Sequence, residues 1–112
     1  MICDAPTRAR LEALGELVVH EGGPMPDDLV ERHLPDAVAV VGQTDLGPER
    51  LARAPRLRVV VNVEGNLLGN VDYSTCARRG IHVLVASGAF APAVAEAALG
   101  MALDLARGLS AA

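Results

Sequence analysis

The stretch that could most readily do chemistry is residues 62–72, NVEGNLLGNVD. It follows an apolar run and precedes YSTCARRGI, which has the composition of a short helix. Glycine-bearing loops between a strand and a helix commonly bind anions, because backbone N–H groups and the helix N-terminus both favour negative charge. This loop also carries Glu64, whose carboxylate would oppose a bound anion by about 1 kcal/mol or more. Three interpretations stay open: a substrate-binding loop, a modified one, or a plain turn with Asp72 as the helix cap.

The other residue types that could carry chemistry form no recognisable constellation. The histidines His20, His33 and His82 have no second histidine or cysteine at metal-ligand spacing, so we predict no metal site. Cys76 lies in a predicted helix with no base near it in sequence, which argues against a nucleophile. Cys3 and Cys76 are far apart and fit reduced thiols in a cytoplasm better than a disulfide framework.

The elements that must position the loop follow from the hydrophobic pattern. Short β-branched runs recur at nearly even spacing, at 16–20, 37–41, 58–62 and 81–85, with helix-like segments between them. This alternation predicts βαβ units and a mostly parallel sheet with right-handed crossovers. The third and fourth runs are apolar on both faces, which is typical of strands covered by helices on each side. The predicted fold class is therefore α/β.

Segments with residues that typically start and end helices lie between the strand runs. They are PTRARLEALG, PDDLVERHLP, GPERLARAP and DYSTCARRG. Two acids follow Pro26, where the helix dipole favours them, and Asp72 and Gly80 are the expected N-cap and C′ residue of the last segment. A longer, mostly apolar helix is predicted over about 91–108, and it requires a second domain or a second subunit as a cover. Only MIC precedes the first helix, so the first strand is expected to be very short, within residues 1–4, or missing.

Bulk composition limits the function classes. The 112 residues suffice for one domain, 1–112, and the 51 % apolar fraction indicates a folded chain. The net charge is −4 and no basic patch is interleaved with aromatics, so we expect no nucleic-acid partner. No run of eighteen apolar residues and no signal-peptide pattern occur, which predicts a cytoplasmic protein without a membrane partner.

Several motifs in the C-terminal half resemble a known family when they are taken in order. They are LARAPRLRVVV, the glycine loop, NVD, ARRGIHV, and AVAE opening a helix rich in alanine and leucine, over about 51–108. The chain resembles the N-terminal, substrate-binding domain of the D-isomer-specific 2-hydroxyacid dehydrogenases. The resemblance implies a flavodoxin-like three-layer domain paired with a Rossmann domain for NAD. It also implies that a 2-oxoacid is reduced by a hydride from NADH.

The resemblance also implies site residues. In the family, the loop after the corresponding strand offers backbone N–H groups to the substrate carboxylate, and the AVAE helix start borders the nicotinamide. The matching substrate-binding positions are Val63, Glu64, Gly65 and Asn66. The matching cofactor-side positions are Ala91 and Val94, with Pro92 between them.

The sequence departs from the family pattern at the loop, at Ala91, where the family often has Thr or Ser, and in the motifs that it lacks. The family loop usually reads Gly-Val-Gly or similar, whereas this loop reads Glu64-Gly65-Asn66 and is one residue longer. The glycine fingerprint for dinucleotides is absent from the sequence, and the family's catalytic Arg, Glu and His match no position in it. We therefore expect half of an enzyme, with the helix in 91–112 leading toward an NAD-binding domain. The alternative is a non-catalytic, stand-alone remnant that forms a homodimer through this helix or binds a small ligand.

Overall fold

The computed structural model describes residues 4–64 and 66–110. Within that part of the chain, a three-stranded sheet alternates with α-helices, as the hydrophobic pattern predicted. The strands are β1 (Ala39–Val41), β2 (Val59–Asn62) and β3 (His82–Val85). The helices are α1 (Ala5–Glu12), α2 (Asp27–His33), α3 (Pro48–Ala52), α4 (Tyr73–Arg79) and α5 (Ser87–Arg107), with a 3₁₀ turn, Leu34–Asp36, after α2.

The sheet is parallel throughout and has the order β1-β2-β3, so β2 is its central strand. The register places Val40, Val60 and Val83 side by side on the face that meets the core. On the opposite face, Val61 is partly buried and Leu84 is 52 % exposed. The α/β class and the parallel sheet are confirmed. The residues buried in the core are Leu34, Leu46, Leu51, Ala54, Leu57, Val60, Val71, Cys76 and Ile81.

Local signals in the sequence explain where α4 begins and ends. The Asp72 carboxylate accepts a hydrogen bond from the Thr75 backbone N–H at 3.1 Å, which satisfies a donor that the first helical turn leaves unpaired. Gly80 closes the helix with φ of +66°, a left-handed conformation that glycine adopts without steric penalty. Both predicted caps are confirmed. The loop that ends at Asp72 is therefore fixed to a helix of defined start.

Arg50 is the more buried of two arginines that connect α2 to α3. The Arg50 guanidinium lies 2.8 Å from a Glu31 carboxylate oxygen and 2.5 Å from one of Asp27, and it donates to the Asp45 carbonyl oxygen at 2.9 Å. These carboxylates raise the pKa of Arg50 further above its ordinary range, with Asp27 contributing most. A guanidinium with three acceptors fixes geometry better than an ammonium could, because its donors form a rigid planar fork. The two short helices thus lie in a defined arrangement around the β1–α3 connection.

The strand predicted at 16–20 is wrong. This segment has no regular structure, and Val18 and Val19 are 38 % and 40 % exposed. A strand requires a neighbour that accepts and donates its backbone hydrogen bonds, and none of the described strands pairs with this segment. Gly22 and Gly23, both with positive φ, then turn the chain away toward α2. The short first strand expected within residues 1–4 falls largely outside the described residues. The one described residue of that segment, Asp4, is the N-cap of α1.

The last helix starts one turn earlier than predicted. It begins at Ser87 rather than near residue 91 and ends at Arg107, and none of its residues is buried. Its apolar side chains are exposed, among them Val94 at 64 % and Leu105 at 83 %. By length and composition alone this helix could cross a membrane, a test that core helices of soluble proteins also pass. The absence of a membrane partner therefore stays a prediction.

Candidate functional site

The loop between β2 and α4 is fastened at its base by a pair of asparagines. Asn62, the last residue of β2, is 0 % exposed, and its side-chain oxygen accepts a hydrogen bond from Asn70 Nδ2 at 3.2 Å. The same Asn70 Nδ2 also donates to the Thr44 carbonyl oxygen at 3.0 Å. Since Thr44 belongs to the β1–α3 connection, Asn70 joins the two loops that leave the carboxyl ends of neighbouring strands.

Backbone contacts extend this connection. Leu46 and Val71 form an isolated parallel bridge, in which the Leu46 N–H donates to the Asn70 carbonyl oxygen at 2.6 Å. The Asp72 N–H donates back to the Leu46 carbonyl oxygen at 3.1 Å. The Tyr73 hydroxyl donates to the Leu68 carbonyl oxygen within the loop itself. Both ends of the loop are therefore held by the fold.

The structure shows how the backbone of the predicted substrate-binding positions is engaged. The Asn66 N–H donates to the Glu64 carbonyl oxygen at 2.8 Å, so it is used within the loop. The Glu64 N–H donates to Gln43 Oε1 at 2.8 Å, in the amide orientation assigned from the hydrogen-bonding pattern. Val63 is partly buried, whereas the Glu64 side chain is exposed. Gly65 lies outside the described residues.

Sequence reasoning missed Gln43. It follows β1 directly after Gly42, at the same edge of the sheet as the loop. A polar residue just beyond a strand that neighbours the ligand loop was the signal that could have identified it, because parallel strands bring their carboxyl ends together. The predicted site is therefore built from two loops.

A shallow crevice of about 550 Å³ opens where this edge of the sheet meets α5. One wall is the loop after β2, and the other is the end of β3 with the first residue of α5. Ala91 and Val94 do not line it, because α5 begins at Ser87 and its axis carries those positions farther out. Their predicted role beside a cofactor stays a prediction. The lining residues are Asn66, Leu67, Leu68, Val85 and Ser87.

The electrostatics of the site are set by the cap of α4. Hydrogen bonds from the Thr75 hydroxyl at 2.6 Å and the Ser74 hydroxyl at 2.7 Å lower the pKa of Asp72 from 3.8 to about 2. Asp72 is therefore ionised at neutral pH and fully used as a cap, which makes it unsuited to proton transfer. The opposite applies to Cys76: burial raises the pKa of this thiol, whose residue is 1 % exposed. An unreactive thiol in the core is consistent with the prediction that Cys76 is no nucleophile.

No metal centre forms within the described ranges. None of the His, Cys, Asp and Glu residues described in the structure come together in a group of three that could hold an ion. His82 is exposed on the edge strand, while His20 and His33 are partly buried in separate parts of the chain.

These features define a parallel α/β domain with a shallow crevice at the carboxyl edge of its sheet. The chain belongs to the D-isomer specific 2-hydroxyacid dehydrogenases, whose catalytic-domain model matches residues 2–106. The match extends through the N-terminal half, where the sequence motifs carried little family signal. The resemblance drawn from residues 51–108 is confirmed.

Two solved structures are similar over nearly the whole chain. A phosphoglycerate oxidoreductase from Rhizobium etli is 40% identical over 95% of this chain, with a TM-score of 0.70. An NAD-dependent formate dehydrogenase from Staphylococcus aureus, solved in complex with NAD, is 24% identical over 94% of this chain, with a TM-score of 0.65, and supports the fold alone. The chain spans 32% of the length of each of these proteins. No curated protein matched it.

Proposed function

We propose that this chain is the substrate-binding part of an NAD-dependent D-2-hydroxyacid dehydrogenase that interconverts a 2-oxoacid and a 2-hydroxyacid in the cytoplasm. The observation that carries the proposal is the crevice between the loop after β2 and the start of α5, in a chain that belongs to this family. Open α/β sheets bind ligands at this edge, where loop amides and helix N-termini converge. The activity of the whole enzyme is part of the proposal, because the chain corresponds to about a third of its solved relatives.

The crevice favours a small carboxylate as the ligand. Its walls combine the apolar Leu67, Leu68 and Val85 with the polar Asn66 and the first turn of α5. Loop amides would bind the carboxylate, and the apolar wall would accept a short carbon chain. The relative with 40% identity is described as a phosphoglycerate oxidoreductase, so phosphoglycerate joins pyruvate among the first compounds to test.

The residues described here do not form a dinucleotide site. A pyrophosphate needs a glycine-rich strand-to-helix turn, and the G-x-G-x-x-G pattern is absent from the sequence. The loops after β1 and β2 are bonded to each other through Asn70 and Gln43, and a single residue, Ala86, joins β3 to α5. We therefore propose that a separate domain holds NAD, which would supply the hydride. This chain would position the 2-oxoacid and exclude water from one side of the cleft.

A ¹⁵N NMR titration of the chain tests the assignment. Pyruvate and phosphoglycerate should shift amide signals within 62–72 and around Ser87, whereas NADH should leave the spectrum unchanged. Neutral pyruvamide is the matched control, since it lacks the carboxylate and should bind weakly or not at all. If no 2-oxoacid or 2-hydroxyacid shifts the loop signals, the proposed function is wrong. Tight NADH binding would contradict the proposed division between domains.

The exposure of α5 supports a second candidate, a non-catalytic chain that forms a homodimer. Phe90, Met101 and Leu105 are 52 %, 63 % and 83 % exposed, and contiguous apolar surface of this kind is typical of interfaces. Size-exclusion chromatography with light scattering separates the candidates. A dimer that Met101→Glu dissociates, without any response to 2-oxoacids, would favour the homodimer. A monomer that binds pyruvate would favour the dehydrogenase half and leave α5 for the cofactor domain.

A further inference from the structure

Gln43 is held at both ends of its side-chain amide. Its Oε1 accepts from the Glu64 N–H at 2.8 Å, and its Nε2 donates to the Gly42 carbonyl oxygen at 3.1 Å. Gly42 itself is anchored to the central strand, because its N–H donates to the Val61 carbonyl oxygen at 2.9 Å. The φ of Gly42, +132°, is a conformation that favours glycine and turns the chain sharply after β1. The contact between Gln43 and the loop is thus set by the end of the sheet.

The Gln43 oxygen is a hydrogen-bond acceptor of the same kind as a ligand carboxylate oxygen. A side-chain amide oxygen that accepts from a loop N–H makes the same bond that a carboxylate oxygen would make to that N–H. An N–H group has one proton to donate, so Gln43 and a bound carboxylate cannot both receive a full hydrogen bond from Glu64. The Asn66 N–H is also engaged, by the Glu64 carbonyl oxygen.

We infer that Gln43 is a specificity-determining residue that occupies the Glu64 amide in the free protein and competes with the substrate carboxylate for it. This inference rests on the proposed function and deepens it. It implies that a ligand binds the Glu64 N–H only when its carboxylate is a stronger acceptor than the Gln43 amide oxygen. Anions that are weaker acceptors are excluded. Charged acceptors form hydrogen bonds about twice as strong as neutral ones, so a 2-oxoacid can displace Gln43 while a neutral analogue cannot.

Two substitutions of Gln43 test whether this residue competes with the substrate carboxylate or only holds the loop in place. Gln43→Met keeps the length of the side chain and removes the acceptor, so it frees the Glu64 N–H. We expect pyruvate to bind this variant about 3- to 10-fold tighter, which corresponds to one net hydrogen bond. Gln43→Glu keeps an acceptor and adds a negative charge beside the anion, so pyruvate should bind at least about 10-fold more weakly. Ala52→Glu, at an exposed position of α3, adds the same charge away from the loop and should bind pyruvate as the unaltered chain does.

The readout is the dissociation constant for pyruvate, followed at the Glu64 amide signal in ¹⁵N spectra. The ligand-free Glu64 signal should itself move in Gln43→Met, because its acceptor is lost, and pyruvate should move it further. If the unaltered chain binds pyruvate and Gln43→Met binds it no more tightly, this inference is overturned while the proposed function stands. If neither chain responds to any 2-oxoacid or 2-hydroxyacid, both are overturned.

Discussion

The pairing of Asn62 with Asn70 gives a quantitative prediction about what holds the candidate loop. In Asn70→Ala, Asn62 keeps its amide in a fully buried position but loses the partner at 3.2 Å, and the Thr44 carbonyl oxygen loses its donor. Leaving a buried polar group unsatisfied costs about 1–3 kcal/mol, and the second lost bond adds about 0.5–1.5 kcal/mol. We therefore expect the free energy of unfolding to fall by about 1.5–4.5 kcal/mol.

A double-mutant cycle isolates the interaction between the two side chains. Asn62→Val removes the buried amide and should cost less than Asn70→Ala, because Asn70 is partly exposed and keeps its bond to Thr44. The double variant should then be more stable than the sum of the single effects predicts by about 1–2 kcal/mol, since no unsatisfied amide remains in it.

Urea unfolding followed by circular dichroism measures these differences as shifts in midpoint. Asn66→Ala is the matched control: it changes an exposed asparagine of the same loop and should alter stability by less than about 0.5 kcal/mol. The reasoning is refuted if Asn70→Ala costs no more than Asn66→Ala, or if the effects of the two substitutions in the cycle simply add.

Three further predictions concern groups outside the crevice. Hydrogen bonds from Thr75 and Ser74 lower the pKa of Asp72 from 3.8 to about 2. The ionised carboxylate therefore stabilises the fold above about pH 4, and this stabilisation is lost as the pH falls to about 2. In a profile of unfolding free energy against pH, Asp72→Ala should remove the decrease in that window. Arg50→Met should cost about 1–3 kcal/mol in urea unfolding, whereas Arg53→Met, which removes a half-exposed ion pair, should cost less than about 1 kcal/mol; equal costs would contradict the assigned role of Arg50. Cys76, in a variant lacking the other cysteine, should react with a thiol reagent at least about 100-fold more slowly in buffer than in urea, and rapid reaction in buffer would show that the core opens readily.

Three of the four strands predicted from the alternating pattern are present. The fourth failed because a strand also needs a neighbouring strand to pair with, which composition does not show. The runs at 37–41, 58–62 and 81–85 form the sheet because each meets a parallel neighbour in register. The run at 16–20 has the same β-branched composition but no described strand beside it, so its valines stay at the surface. β-propensity measures fit to a half-buried pleated surface, and the sequence alone does not reveal where that surface ends.

For the candidate site, the sequence identified the loop after β2 but not the second loop that contacts it. Its glycines and the Asp72 cap identified the loop after β2, and the structure shows that Asn70 holds the base of this loop. Gln43 escaped notice because its role arises from the register of β1 on β2, which brings a second loop against Glu64. The tertiary structure decides which backbone N–H groups of the loop are already hydrogen-bonded within the protein. The spacing of residues within 62–72 does not predict it.

The start of α5 connects the fold to the function most directly. The last helix was predicted to start near residue 91, yet it begins at Ser87. Pro92 therefore lies in the helix interior, where it has no N–H to donate to the Gly88 carbonyl oxygen, and the first turn loses one of its bonds. Ser87, the first residue of that turn, lines the crevice. Under the proposed function, a cofactor domain that packs on the exposed face of α5 would cover this turn.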